Sequence, residues 1–187
     1  MGYMLFFLSD RCSTHAWLRT TARRQARGFT LLEVMMAIAI IAVLAALAGP
    51  NFTPLIERWR VRSAAEDLTS TLYYARSEAI KRSGGVTIDA TGGWSQGWKV
   101  THTQGDTTAD LQVSTAPTNI TMAQSSNKEK LYVDRWGMLS ETSGGTPAAM
   151  DILLYPYGKS TTDNSAIRLC IAGGGRIAQM KRGAACP

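Results

Sequence analysis

Gly28 to Glu33 reads Gly-Phe-Thr-Leu-Leu-Glu, and these residue types set up two kinds of chemistry. Gly28 has no side chain, so a group that must approach the backbone closely meets no obstruction there. Glu33 is a lone carboxylate at the start of an apolar run in which Val34 to Leu47 carries no charge. A carboxylate in apolar surroundings costs on the order of 2–3 kcal/mol unless it meets a partner. Glu33 therefore calls for a cation, or for solvation at an interface. A second group is cationic: Arg168, Arg176, Lys181 and Arg182 follow Asp163, after which the chain has no acid. Such a group suits phosphate contacts, which position a polyanion without reading its sequence; the bland alternative is a solvated basic loop. A third pair is Cys170 and Cys186, which either bridge or remain two thiols.

Enzymatic chemistry finds no support. His15 and His102 stand apart, and no Ser-His-Asp set, HExxH helix or phosphate loop is legible. Gly173-Gly174-Gly175 lacks the Lys-Ser/Thr of a nucleotide loop and reads as a turn between strands. The cysteines have no neighbouring ligands of zinc-site spacing, so neither a metal nor another cofactor is expected. Trp94, Trp98 and Trp136 have the flat faces that stack bases, but aromatics in strand patterns are more often core or interface.

The elements that must hold these residues follow from periodicity. Phe29 to Ala48 is apolar over about 20 residues, roughly 30 Å as a helix, enough to cross a bilayer core. Arg19, Arg23, Arg24 and Arg27 precede it and would hold that end in the cytoplasm. Gly49-Pro50 then interrupts the pattern, because proline removes a helical hydrogen bond and clashes with the preceding turn. Beyond it, Val61, Ala65, Leu68, Leu72, Ala75 and Ala79 recur at three- and four-residue spacing, the stripe of an amphipathic helix from about Phe52 to Lys81. Ser83-Gly84-Gly85 ends it.

From there the period shortens. Val86–Asp89, Gly97–Thr101, Asn119–Met122, Lys130–Val133, Met150–Tyr155 and Ala166–Ile171 read as strands separated by turn residues, with a last one over Arg176–Met180. The expectation is an α+β fold, with one antiparallel sheet packed on the apolar stripe.

The amino-terminal block resembles that of type IV pilins and type II secretion pseudopilins: a basic leader, Gly28, Phe29, then Thr30-Leu31-Leu32-Glu33 and an apolar helix. The resemblance implies a type IV pilin-like fold, a long amino-terminal helix with a transmembrane half and an amphipathic half. It also implies cleavage by a membrane-embedded prepilin peptidase after Gly28 and methylation of the new Phe29 terminus. Residues 1–28 are then a leader, 29–49 a membrane helix, 50–82 the amphipathic helix and 83–187 the head. Glu33 would pair with the Phe29 ammonium of a neighbouring subunit during assembly. Pro50 falls where pilins often carry proline.

Five of the 20 Lys and Arg and one of the 14 acids precede Phe29, so the processed chain would carry only +2. Cys170 and Cys186 then lie on the oxidising side, which favours their pairing.

Further on, Ala64-Ala65-Glu66-Asp67-Leu68, Leu72 to Ile80, Gly97-Trp98 and Gly175-Arg176 resemble the GspH/FimT domain. That family implies a structural filament subunit, either a type IV pilus minor pilin or a type II secretion pseudopilin. Its partners would be other pilin subunits, the peptidase and the inner membrane, with the head in the periplasm. Some FimT-like members bind DNA through a terminal Gly-Arg-x-Arg. Gly175-Arg176-Ile177 match here, Ala178 takes the place of the second arginine, and Lys181 and Arg182 follow. Arg168, Arg176, Lys181 and Arg182 are thus the residues available to DNA.

Overall fold

The computed structural model describes residues 28–48 and 52–187. The leader up to Arg27, and Pro50 with its neighbours Gly49 and Asn51, lie outside the described residues. The chain divides into two units, one ending at Leu44 and one running from Ala45 to Pro187.

The first unit contains most of helix α1, Leu31–Ala48. Its 18 residues rise about 27 Å. Thr30 caps it: the Thr30 hydroxyl accepts the Glu33 N–H at 3.2 Å. Glu33 lies in the first turn, where a carboxylate meets the positive end of the helix dipole. Among the described residues, no helix is long and apolar enough to cross a membrane.

The second unit is built on helix α2, Thr53–Arg82, close to the expected span. Pro54 sits in its first turn, where a missing N–H costs nothing. Ser83 adopts a left-handed conformation at the far end, and Gly84 N–H donates to the Ala79 carbonyl at 2.8 Å. All six residues of the expected stripe, Val61 to Ala79, are fully buried.

The strands are β1 Val86–Asp89, β2 Gly97–Gln104, β3 Thr107–Thr115, β4 Ile120–Gln124, β5 Lys130–Val133, β6 Leu139–Ser140, β7 Met150–Pro156, β8 Ile167–Ile171 and β9 Ile177–Lys181. Each of the seven expected strands is found. They form two antiparallel sheets rather than one, in the orders β3-β2-β1-β5-β6 and β4-β7-β8-β9. After β3 the chain leaves the first sheet, forms β4 against β7, then returns to place β5 beside β1. Helix α2 packs on β1 and β5 of one sheet and β7 and β8 of the other, so one stripe serves both.

β3 was not expected. Its sequence, Thr-Thr-Ala-Asp-Leu-Gln-Val-Ser-Thr, alternates apolar Ala109, Leu111 and Val113 with polar residues, but the apolar run is short and the strand is an edge strand, exposed along most of its length, Val113 included. Together with that alternation, the signal that could have found it is Gly105-Asp106, a two-residue connection between Gln104 and Thr107. Gly105 has φ +58°, as a turn with glycine in its first central place requires.

The core explains two of the tryptophans. Trp98 is buried and donates its indole N–H to the Thr71 hydroxyl at 3.1 Å. Trp94 is buried and donates to the Lys128 carbonyl at 2.8 Å. Neither face is open to a base. Trp136 is exposed, with the Arg135 guanidinium 4.5 Å from its ring centre.

Candidate functional site

At the amino-terminal site, Gly28 and Phe29 precede α1 and are exposed, and among the described residues beyond its chain neighbours no atom comes within 4 Å of a Cβ built at Gly28. Glu33 is exposed one turn into α1. The Thr30 cap was missed as a functional element, although Thr-x-x-Glu before an apolar run is a recognisable helix-start signature. It fixes where the helix begins, and hence how far Glu33 lies from the Phe29 nitrogen.

At the other end of the chain, Cys170 and Cys186 form a disulfide with 5.6 Å between their Cα atoms. The stretch between them is not all loop, since β9 occupies Ile177–Lys181 and pairs along β8. Two further ties hold the segment after β9. Arg168 donates from Nε to the Gly183 carbonyl at 3.1 Å, and Gly183 N–H donates to the Ala166 carbonyl at 3.3 Å.

This geometry separates the four cations. Arg168 is half-buried and ion-paired with Asp151, which lies diagonally from it on the adjacent strand β7, so its charge is already spent within the fold. Arg176 is exposed before β9 and lines a small cavity with Cys170, Ala178 and Cys186. Lys181 and Arg182 are exposed at the opposite end of β9. Five residues of strand place them about 17 Å from Arg176. There they line a groove of about 380 Å³ whose other wall carries Arg58 and Arg62 of α2. Those two arginines were not singled out as a site, although their four-residue spacing puts them on one helix face.

The glycine turn after β8 has a different role from the one its composition suggests. Arg76, on α2, donates from Nε to the Gly137 carbonyl at 2.7 Å and from Nη1 to the Gly175 carbonyl at 2.8 Å. Its Nη2 reaches the Gly174 carbonyl at 3.3 Å. One guanidinium thus ties the β5–β6 turn of the first sheet and the β8–β9 turn of the second to the same helix. Gly175 has φ +83°, and a Cβ there would lie 2.1 Å from Arg76 Cζ. The Gly175-Arg176 pair is therefore where the backbone must make room for Arg76, while the Arg176 side chain faces solvent.

Two ion pairs steady the frame elsewhere in the head. The Arg82 hydrogen bond, with Lys81 nearby, holds the Glu78 carboxyl below its usual range despite opposing burial. For Asp89, burial pushes the carboxyl up. Hydrogen bonds from Thr91 and Lys130 outweigh it, so the net shift is downward. Among the described residues, no group of three or more His, Cys, Asp or Glu could hold a metal ion.

A family described as "Type II transport protein GspH" matches residues 64–182. The "Prokaryotic N-terminal methylation motif" matches residues 23–49. Type II secretion system protein H of Xanthomonas campestris pv. campestris is 43% identical over 58 residues, 31% of this chain and 34% of that protein. The chain thus spans about a third of the length of that curated relative. The type IV minor pilin FimU of Pseudomonas aeruginosa is similar in structure, with TM-score 0.57 and 27% identity over 70% of this chain and 96% of FimU. A second crystal form of FimU gives TM-score 0.54 at the same 27% identity, covering 66% of this chain and 94% of that one.

Proposed function

The chain belongs to the GspH family of type II transport proteins and is a minor pilin or pseudopilin of that kind; from this premise we propose that it serves a type IV pilus as a structural assembly subunit. The observation that carries this reading is the likeness to FimU, which extends over nearly the whole of that minor pilin. The rival reading, a type II secretion pseudopilin without a nucleic-acid ligand, is favoured by the curated match, which covers a much smaller share of its relative.

In the proposed sequence of events, Arg19, Arg23, Arg24 and Arg27 retain the amino terminus in the cytoplasm. Residues 29–49 anchor the chain in the inner membrane and leave the head in the periplasm. The apolar side chains described in α1 are exposed, and a helix of that composition needs lipid or neighbouring helices around it. Prepilin peptidase cuts between Gly28 and Phe29, and the new amino group is methylated. Glu33 then finds the Phe29 ammonium of an adjacent subunit, and that pairing offsets the cost of a carboxylate among apolar chains. Phe52, Leu55, Ile56 and Trp59, all exposed at the start of α2, give neighbouring subunits further apolar surface. No step in this role is enzymatic. The basic carboxy-terminal face would additionally contact the phosphates of DNA.

The test is deletion of the gene in its own host, with surface pili counted and type II export of a secreted hydrolase assayed in parallel. Loss of pili with normal export is expected. Loss of export with normal pili would overturn the pilus assignment in favour of the rival.

A further inference from the structure

We infer that the anion-binding site of this head is the groove between α2 and the end of β9, with Arg58 and Arg62 as half of it, and that its ligand is a phosphodiester backbone. The inference rests on the DNA reading above for its ligand, but it moves the contact away from the Gly175-Arg176 turn.

Three observations carry it. First, the cations at the two ends of β9 are about 17 Å apart and cannot form one cluster, and Arg168 is held by Asp151. Second, two pairs of cations distant in sequence converge on the groove: Arg58 and Arg62, one helical turn apart on α2, and Lys181 and Arg182 beyond β9. All four are exposed. The rest of the lining is uncharged: Asn164 and Ser165 leave hydrogen-bonding groups for phosphate oxygens, and Ala166 and Ile167 form its apolar floor. Third, the wall that carries Lys181 and Arg182 is fixed in place. The disulfide closes beyond it, the Gly183 carbonyl is held by Arg168, and Gly183 N–H is held by Ala166. A preorganised wall loses less conformational freedom on binding than an unrestrained tail. One carboxylate opposes the site: Glu66 pairs with Arg62 at 2.8 Å. That pair is exposed and weak, so an incoming phosphate can compete for the guanidinium.

The groove accounts for the chain's departure from Gly-Arg-x-Arg. With Ala178 in place of the second arginine, the Gly175 turn retains one exposed guanidinium. The phosphate-binding charge density lies where the helix contributes.

The experiment is fluorescence anisotropy of the full chain in a non-ionic detergent with labelled duplex DNA at several salt concentrations. Each phosphate contact contributes roughly −0.9 to the slope of log K against log salt. R58A/R62A and K181A/R182A should each weaken binding and make the slope shallower by about 1.8. R176A should change it little, and K128A/R135A, two exposed cations outside the groove, should act as a neutral control. If R176A abolishes binding while R58A/R62A leaves it intact, the groove is refuted and DNA binding survives at the turn. If K128A/R135A weakens binding as much as R58A/R62A, net charge alone is at work and the groove is likewise refuted. If the unaltered chain binds no duplex at low salt, the DNA reading itself fails and the groove's assignment falls with it.

Discussion

Arg76→Ala should be among the most destabilising single changes at a polar residue of this head. The side chain makes two hydrogen bonds of 2.7 and 2.8 Å to turn carbonyls in different sheets and a longer one of 3.3 Å. A hydrogen bond from a charged donor is worth about 1.5–3 kcal/mol. Arg76 is half-buried, so water can reach part of the vacated space. Taking the low end for the two short bonds and nothing for the third gives a loss of about 3 kcal/mol. For a domain of this size that corresponds to about 10 °C in Tm. Arg76→Lys should recover less than half, because one ammonium cannot span both carbonyls as the planar fork does. The steric part is tested by Gly175→Ala, whose Cβ would overlap Arg76 Cζ. Combined with Arg76→Ala, the overlap disappears and only the left-handed strain remains, about 1 kcal/mol. The two changes should therefore be clearly less than additive. Urea unfolding of the full chain in detergent, followed by circular dichroism, measures all four variants. An Arg76→Ala cost below about 1 kcal/mol, a lysine variant as stable as the parent, or strict additivity with Gly175→Ala would refute the clamp.

Gly28→Leu should leave the leader attached, read as an unprocessed mass in membrane extracts, whereas the parent should show a methylated Phe29 terminus. Glu33→Ala should insert into the membrane as well as the parent but enter filaments poorly, measured by immunoblot of sheared filaments against membranes; normal incorporation would remove the role given to Glu33. Cys186→Ser should cost about 3 kcal/mol in the chain-entropy view of a loop this long, detectable by urea unfolding with and without reductant. Asp89→Asn should destabilise by less than about 1 kcal/mol at neutral pH. The Asp89 carboxyl is lowered from 3.8 and Lys130 raised from 10.5. The contribution of the pair is therefore present between those values, lost as pH falls through the folded carboxyl pKa and lost again as pH rises through the folded lysine pKa. Parent and Asp89→Asn should converge in stability as pH falls through the folded carboxyl pKa, while at high pH the Thr91 hydrogen bonds to Asp89 remain.

Local pattern carried a large part of this structure. The stripe from Val61 to Ala79 was readable because a helix must bury one face, and the spacing of that face is written in consecutive residues. Seven of the nine strands among the described residues were readable because alternation and turn residues are equally local. The Cys170–Cys186 bridge followed from an even count in an oxidising setting. Gly28, Phe29 and Glu33 stood out because a single carboxylate in an uncharged run is conspicuous without any fold.

The tertiary structure decided which strands share a sheet, since that depends on the chain leaving after β3 and returning at β5. No window of sequence contains both events. It also assigned the cations. Arg168 looks equivalent to Arg182 in sequence, yet β7–β8 pairing sets Asp151 against it. Arg58 and Arg62 lie more than a hundred residues before Lys181, and only the packing of α2 against the second sheet brings them to one groove. Arg76 could not be given its role from sequence for the same reason: its partners are carbonyl oxygens of two distant turns, and backbone acceptors have no residue-type signature. Residue type fixes what a side chain can do; which charges meet, and which are spent inside the fold, is settled by long-range packing.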